Sequence, residues 1–191
     1  MSAADRSSNT VFLVGFMGAG KTSVGRALGQ RLNWVFEDLD HRIEQREGRK
    51  IAEIFRDSGE PAFRLAEWAA LRQVLRESQA GVARIVALGG GAFVQQKNAA
   101  LLNAARLPVV FLDATVEELW QRCQRQSGLE RPLRGNLRQF RQLYEVRRKH
   151  YLRASLKIET SGRAVEAIAA EIAKKLGLRE TAARSEQGEP E

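Results

Sequence analysis

The 191-residue sequence has very little of several residue types that particular classes of protein depend on. Its single cysteine, Cys123, excludes an intrachain disulfide and a cysteine metal cluster, and fits a reducing cytoplasm. Its two histidines, His41 and His150, form no metal-ligand pattern. No apolar run approaches the length of a membrane span, and the first residues lack the apolar core of a signal peptide. We therefore expect a cytoplasmic globular protein with no membrane partner.

Acidic residues are also fewer than basic ones, which gives a net charge of +8 from 31 basic and 23 acidic side chains. The excess is concentrated between Arg131 and Arg153, where Glu145 is the only acidic residue. A basic face that binds nucleic acid is one interpretation. The other is a pocket for several anionic groups, and we favour it because no groove-reading motif or aromatic ladder accompanies the charge. We expect a small-molecule substrate and no nucleic-acid partner.

The length and the element pattern predict one α/β domain over residues 10–178, between disordered termini at 1–9 and 179–191. Short β-rich runs alternate with helical periodicity, which predicts a five-stranded parallel sheet with helices on both faces in three layers. The predicted strands are Val11–Gly15, Trp34–Glu37, Arg84–Leu88, Val109–Leu112 and Leu156–Glu159. The predicted helices outside the long connections are Thr22–Leu32, Val116–Gln124, Leu137–Leu152 and Arg163–Leu176.

Two connections are longer than a single crossover requires. Residues 39–78 carry three helical pieces, Asp40–Arg46, Ile51–Asp57 and Ala62–Glu77, and are interpreted as a substrate-binding helical insertion. Residues 126–137 are rich in glycine, arginine and glutamine, which is typical of a mobile lid in a nucleotide enzyme and also of a plain surface loop.

The strongest motif is Gly-Phe-Met-Gly-Ala-Gly-Lys-Thr at Gly15–Thr22, directly after the first strand and before the first helix. In that context the pattern predicts a phosphate-binding P-loop, because glycines and a helix N-terminus turn backbone N–H groups toward an anion. Lys21 would reach the β- and γ-phosphates, and the Thr22 hydroxyl would bind Mg²⁺. The motif predicts a nucleoside triphosphate site at Gly18, Ala19, Gly20, Lys21, Thr22 and Ser23.

Asp38 and Asp40 end the second strand, where their side chains would point apart and serve different roles. Alternatively both cap the following helix, a position that aspartate favours. Three glycines, Gly89, Gly90 and Gly91, follow the third strand, at the edge where open α/β sheets bind ligands. Their bare backbone favours close contact with a substrate over a simple turn.

Taken in order and spacing, five motifs resemble those of shikimate kinase: the P-loop, Asp38-Leu39-Asp40, Gly59-Glu60-Pro61-Ala62-Phe63-Arg64, Gly89-Gly90-Gly91 and Arg131-Pro132-Leu133, with Arg147 and Tyr151 following. The resemblance covers about residues 10–175. It implies a P-loop kinase fold and transfer of the ATP γ-phosphoryl group to the 3-hydroxyl of shikimate, on the route to chorismate and the aromatic amino acids. ATP and Mg²⁺ are the implied cofactors.

The resemblance also implies roles for single residues. Asp38 would support the Mg²⁺ shell, and Asp40 would hold and deprotonate the accepting hydroxyl. Arg64 and Arg147 would grip the shikimate carboxylate, although Arg64 taken alone is better explained as an ion-pair partner of Glu60 or Glu67. Arg131, in the lid, would complete the positive charge around the phosphates with Lys21.

The sequence departs from the family at one of these positions. The family usually has Arg-x-Pro-Leu-Tyr where this chain has Arg147-Arg148-Lys149-His150-Tyr151, which leaves either Arg147 or Arg148 as the second clamp. Two other functions remain open: another small-molecule kinase, such as one for gluconate or a nucleoside monophosphate, or a non-catalytic sensor built on the same fold. No long apolar stripe is left for a partner, so we expect a monomer.

Overall fold

A computed structural model of the chain describes residues 9–125 and 136–181. The described residues form five strands and seven α-helices, with a 3₁₀ turn at Ala92–Val94. The strands are β1 Thr10–Val14, β2 Val35–Asp38, β3 Arg84–Ala87, β4 Val109–Asp113 and β5 Leu156–Glu159. The helices are α1 Lys21–Leu32, α2 Leu39–Glu47, α3 Ile51–Ser78, α4 Gln96–Ala105, α5 Val116–Arg125, α6 Leu137–Tyr151 and α7 Val165–Leu176.

The strands pair in the order β2-β3-β1-β4-β5, and all pairs are parallel. The central strand β1 is completely buried, which explains its continuous apolar sequence. The predicted fold class is confirmed, and each predicted strand agrees with the structure to within one residue at either end.

The strand register brings the motifs to one edge of the sheet. Ala87 of β3 pairs with Leu13 of β1 on one side and with Asp38 of β2 on the other. The residues that follow these positions therefore leave the sheet together. Gly15, Gly89 and Asp40 consequently lie at the same carboxyl edge, where an α/β sheet binds its ligands.

The connection between β2 and β3 contains the expected helical pieces, although two of them join into α3. Gly59, with φ 76° and ψ 174°, breaks α3 into two segments, and the second begins near Pro61. Proline is tolerated there because the first turn of a helix leaves its N–H groups without intrahelical partners. The break changes the direction of the chain just before Arg64.

Helix α4 is absent from the sequence-based prediction. Its buried residues are Asn98, Ala99 and Leu102, so a polar and a small side chain occupy positions that a periodicity search expects to be large and apolar. The end of the described chain packs on α1, where the Thr181 N–H donates to the Leu32 carbonyl at 3.0 Å and the Thr181 hydroxyl to the Asn33 carbonyl at 2.9 Å.

Candidate active site

The P-loop connects β1 to α1 through three glycines with positive φ: Gly15 at 149°, Gly18 at 80° and Gly20 at 87°. Gly18 also lacks space for a side chain, because a Cβ there would lie 2.8 Å from the Leu119 carbonyl oxygen. Glycine is thus required at Gly18 for both conformation and close packing.

Helix α1 begins at Lys21, directly after the loop. The Lys21 ammonium donates to the carbonyls of Gly15 at 2.9 Å and Phe16 at 3.1 Å, which keeps its charge against the loop. The N–H groups of the first helical turn, from Lys21 to Ser23, point toward the N-terminal end of the helix. Together with the helix dipole they make a site for an anion.

Asp38 and Asp40 have different neighbours. The Thr22 hydroxyl lies 3.3 Å from Asp38 Oδ2, and the Asp38 Oδ1 accepts from the Asp40 N–H at 3.0 Å. Asp38 is therefore the N-cap of α2 and also faces α1. The capping alternative holds for Asp38 and not for Asp40, which lies in the first turn of α2.

The Asp40 carboxylate lies directly against Gly89. A Cβ at Gly89 would overlap Asp40 Oδ1 and lie 3.3 Å from Oδ2. The absence of a side chain at Gly89 thus leaves room for this carboxylate at the carboxyl edge of β3. The two aspartates diverge, one toward the P-loop helix and one toward the triple glycine.

Arg64 contacts the other end of the triple glycine. A Cβ at Gly91 would lie 2.9 Å from both Arg64 Nη1 and Nη2. The guanidinium also pairs with Glu60 at 3.0 Å and Glu67 at 3.1 Å, so the ion pairs considered from the sequence are both present. These ion pairs fix the guanidinium beside Gly91, and 22% of the side chain stays exposed.

Arg147 and Arg148 are distinguished by their positions on α6. Arg147 Nη1 lies 3.5 Å from the position of a Cβ on Gly90, and its guanidinium stacks over the Phe16 ring at 5.8 Å. Arg148 instead pairs with the buried carboxylate of Asp113 at 2.6 Å. Of the two arginines, Arg147 faces the glycines. The family's proline is replaced by Lys149, and α6 continues as a helix to Tyr151.

Comparison with known proteins assigns this arrangement to a family. The shikimate kinase family model matches residues 17–177. Curated shikimate kinases from Geobacter metallireducens and Thermus thermophilus are 42% and 41% identical, with 89% and 90% of this chain and 93% and 91% of theirs covered. A structure described as shikimate kinase from Acinetobacter baumannii in complex with shikimate superposes with a TM-score of 0.78 at 36% identity, covering 87% of this chain and 92% of that one. The chain belongs to the shikimate kinase family.

One residue expected in a shikimate kinase site falls outside the described part of the chain. Arg131 and residues 126–135 of the expected lid lie between the two described ranges. Of the segment 126–137, Asn136 caps α6 by accepting from the Gln139 N–H at 2.9 Å, and Leu137 is the first residue of that helix.

Sequence reasoning considered Glu67 only as an ion-pair partner and missed its place in this shikimate kinase fold. Glu67 is 1% exposed and accepts from Arg64 and from Asn98, whose Nδ2 lies at 3.3 Å. Burial raises the pKa of Glu67, and the Arg64 guanidinium opposes that rise. The sequence does indicate that Glu67 is unusual, because this acidic residue interrupts the apolar stripe of Phe63, Leu71 and Val74 on α3.

A second missed group anchors α6 to the sheet. Asp113, at the end of β4, is 3% exposed and pairs with Arg148 and with Lys157 at 3.0 Å, while the Tyr144 hydroxyl donates to it at 3.1 Å. Burial opposes ionisation, but these cations and the hydroxyl together lower the pKa of Asp113. These residues are far apart along the chain, and the sequence alone did not predict that they contact one another.

Arg122 of α5 is a third residue that the sequence did not single out. Its guanidinium donates to the Gly18 carbonyl at 3.4 Å and to the Thr160 carbonyl at 3.0 Å, and it pairs with Glu118. It therefore joins the P-loop to the turn after β5, so these two loops are held beside each other.

Two further observations concern the described residues as a whole. Within 9–125 and 136–181, three or more histidine, cysteine or acidic side chains nowhere gather as they would around a metal ion. In the same ranges, every helix is too short or too polar to cross a bilayer.

Proposed function

We propose that the chain transfers the γ-phosphoryl group of ATP to the 3-hydroxyl of shikimate, giving shikimate 3-phosphate and ADP. Family membership supports the activity and the use of ATP. The observation that carries the assignment of roles is the arrangement around the triple glycine. The side chains of Asp40, Arg147 and Arg64 lie beside Gly89, Gly90 and Gly91 in turn, at the sheet edge that also bears the P-loop.

The nucleotide is proposed to bind at the start of α1. The N–H groups of Gly18, Ala19 and Gly20 and of the first helical turn would hold the phosphates, as in other P-loops. Lys21 already has its ammonium against the loop, where it would exchange carbonyl contacts for phosphate oxygens. Thr22 and Ser23 complete this turn.

The residues at Thr22 and Asp38 fit magnesium. A hydroxyl and a carboxylate 3.3 Å apart supply the oxygen ligands that Mg²⁺ prefers, and the ion takes few protein ligands because it keeps waters and phosphate oxygens. Thr22 would ligate the ion, and Asp38 would hold its shell, directly or through water. Bound there, Mg²⁺ would neutralise charge on the transferred phosphoryl group.

Asp40 is proposed as the base. Its carboxylate would accept the proton of the 3-hydroxyl as the oxygen attacks the γ-phosphorus. Arg64 and Arg147, on either side of the glycines, would bind the substrate carboxylate and orient the ring. Arg131 would add charge over the phosphates from the lid, which would also exclude water.

The site favours a small anionic substrate. The chain is further proposed to be a cytoplasmic monomer with no nucleic-acid or membrane partner. A single cysteine in the chain suits a reducing compartment. The exposed large apolar side chains of the described residues are spread over several elements, from Val35 on β2 to Leu65 on α3 and Val146 on α6. The sedimentation coefficient at micromolar protein concentration tests whether the chain is a monomer.

The deciding experiment measures ADP release with shikimate, gluconate and nucleoside monophosphates in parallel, each with ATP and Mg²⁺. We expect kcat/KM for shikimate to exceed that for the other acceptors by a factor on the order of a thousand or more, because two arginines beside the triple glycine would select a carboxylate at a fixed distance from the base. Faster turnover with gluconate or a nucleotide would assign another acceptor. Equal, slow ADP release with all of them would indicate a binding module.

A further inference from the structure

The triple glycine forms a β-turn, and glycine at both of its central positions would permit either orientation of the middle peptide. The Ala92 N–H donates to the Gly89 carbonyl at 3.0 Å, which makes Gly90 and Gly91 the central residues. Gly91 has φ −100° and ψ −14°, close to the values of the third residue of a type I turn. Rotating the middle peptide gives a type II turn, which requires positive φ at the third residue, and glycine accepts that conformation without steric cost.

The middle peptide lies between the two clamp arginines. It carries the Gly90 carbonyl at one end and the Gly91 N–H at the other, and the planar amide fixes these groups in opposite directions. Gly90 faces Arg147, and Gly91 faces Arg64. A rotation of this peptide would therefore exchange a donor for an acceptor between the two guanidinium groups, where the substrate is proposed to bind.

Tyr151 holds the peptide in one of these orientations. Its hydroxyl donates to the Gly90 carbonyl, and both this hydroxyl and the Arg147 guanidinium lie beside Gly90. The side chain is fully buried, with its ring 5.3 Å from that of Phe111. Burial raises the pKa of Tyr151 to about 12, although Arg147 opposes the rise, so the hydroxyl keeps its proton near neutral pH.

We infer that Tyr151 is a positioning residue for the shikimate site, which locks the Gly90–Gly91 peptide in the type I orientation and aligns Arg147 with it. The inference rests on the proposed function. The hydroxyl is the only part of Tyr151 that the lock requires, since the ring packs on β4 independently of it.

The test compares Tyr151→Phe with Tyr144→Phe. Both side chains are buried on α6, but the Tyr144 hydroxyl bonds Asp113 and the Ala114 carbonyl rather than the glycine turn. We expect Tyr151→Phe to raise the KM for shikimate about tenfold and to leave the KM for ATP within about twofold, because one buried hydrogen bond is lost on the acceptor side. Tyr144→Phe should lower the Tm and leave both KM values near those of the natural chain.

Equal shikimate KM values for Tyr151→Phe and the natural chain would overturn the inference, as would equal changes in both variants. If the natural chain itself does not phosphorylate shikimate, the proposed function fails instead, so the two failures are distinguishable.

A second measurement keeps the inference testable if Tyr151→Phe does not fold. The chain has two tyrosines, so 3-fluorotyrosine labelling gives two ¹⁹F resonances, assigned through labelled Tyr144→Phe. Adding shikimate to the labelled natural chain should move the Tyr151 resonance and leave that of Tyr144 in place. A Tyr151 resonance that does not respond to saturating shikimate would contradict the lock.

Discussion

Asp38 and Asp40 carry the same side chain two residues apart, yet they contact different parts of the site. Asp38 caps α2 and faces Thr22, whereas Asp40 lies against Gly89. The difference arises because the strand ends at Asp38 and the helix begins at Leu39, so the alternation of a strand no longer applies to Asp40. Separate functions for the two carboxylates follow from this change of backbone.

The variants Asp40→Asn and Asp38→Asn test that separation. Asp40→Asn should lower kcat by a factor on the order of a hundred or more and leave the KM for ATP almost unchanged, because the amide cannot accept the proton. Asp38→Asn keeps a capping side chain and should instead raise the Mg²⁺ concentration needed for half-maximal rate. Steady-state rates over a Mg²⁺ titration measure both effects; identical profiles for the two variants would refute separate roles.

Arg147 and Arg148 are adjacent and differ in what they contact, which makes them a matched pair. Arg147→Ala should raise the KM for shikimate by a factor on the order of a hundred, because a charge-assisted contact to the substrate carboxylate is lost. Arg148→Ala should leave that KM within about threefold and lower the free energy of unfolding by about 1–3 kcal/mol, since it removes a partner of buried Asp113. The measurements are shikimate kinetics and urea denaturation. A larger KM effect in Arg148→Ala would reverse the assignment.

At the level of elements, an ion cluster joins the parts of the fold that carry Asp40 and Arg64. Arg42 of α2 pairs with Glu37 of β2 at 3.0 Å and with Glu77 of α3 at 2.7 Å. Arg84 of β3 pairs with the same Glu77 at 2.8 Å. The cluster therefore fixes the C-terminal end of α3 to α2 and the sheet.

Stability should depend on pH through Glu77. Burial opposes ionisation, but hydrogen bonds from Arg42 and Arg84 lower the pKa of Glu77 to about 2, below its ordinary 4.5. The stabilisation is thus present above pH 4.5 and is lost as the pH falls toward 2. Because a third of the side chain is exposed, we expect Glu77→Gln to lower the free energy of unfolding by about 1–2 kcal/mol at pH 7 and by less than half of that at pH 3.

Urea denaturation at the two pH values measures this effect, with Glu180→Gln at an exposed position as the control. The control should change little at either pH. A Glu77→Gln effect that is the same at pH 7 and pH 3 would show that the carboxylate does not act through its charge.

The elements differ in how far they could be predicted from the sequence. Fully buried parallel strands are mostly continuous apolar runs, so the positions of β1, β3 and β4 could be predicted from these runs alone. Helix α4 was not found, because buried Asn98 hides its periodicity. The motif residues could be placed at one sheet edge, whereas the contacts of Glu67 and Asp113 depend on distances between elements that spacing along the chain does not contain.

The molecule as a whole carries a net charge of +8, and part of that charge surrounds one site. Lys21 on the P-loop, Arg64 on α3 and Arg147 on α6 come from three separate elements to the same edge of the sheet. Such convergence suits two anionic ligands, a triphosphate and a carboxylate, more closely than it suits the extended backbone of a nucleic acid.

If these cations bind two separate ligands, each ligand should stabilise the folded chain independently. At about a hundred times Kd, a ligand adds about 2.7 kcal/mol, which corresponds to a rise in Tm of about 5–10 °C for a domain of this size. We expect shikimate and Mg²⁺–ADP each to raise the Tm in a thermal unfolding assay. Arg64→Ala should abolish the shikimate shift and keep the nucleotide shift, while Lys21→Ala should do the reverse. Loss of both shifts in either variant would mean that the cations form one shared anion site, and the division of the edge into a nucleotide half and an acceptor half would be wrong.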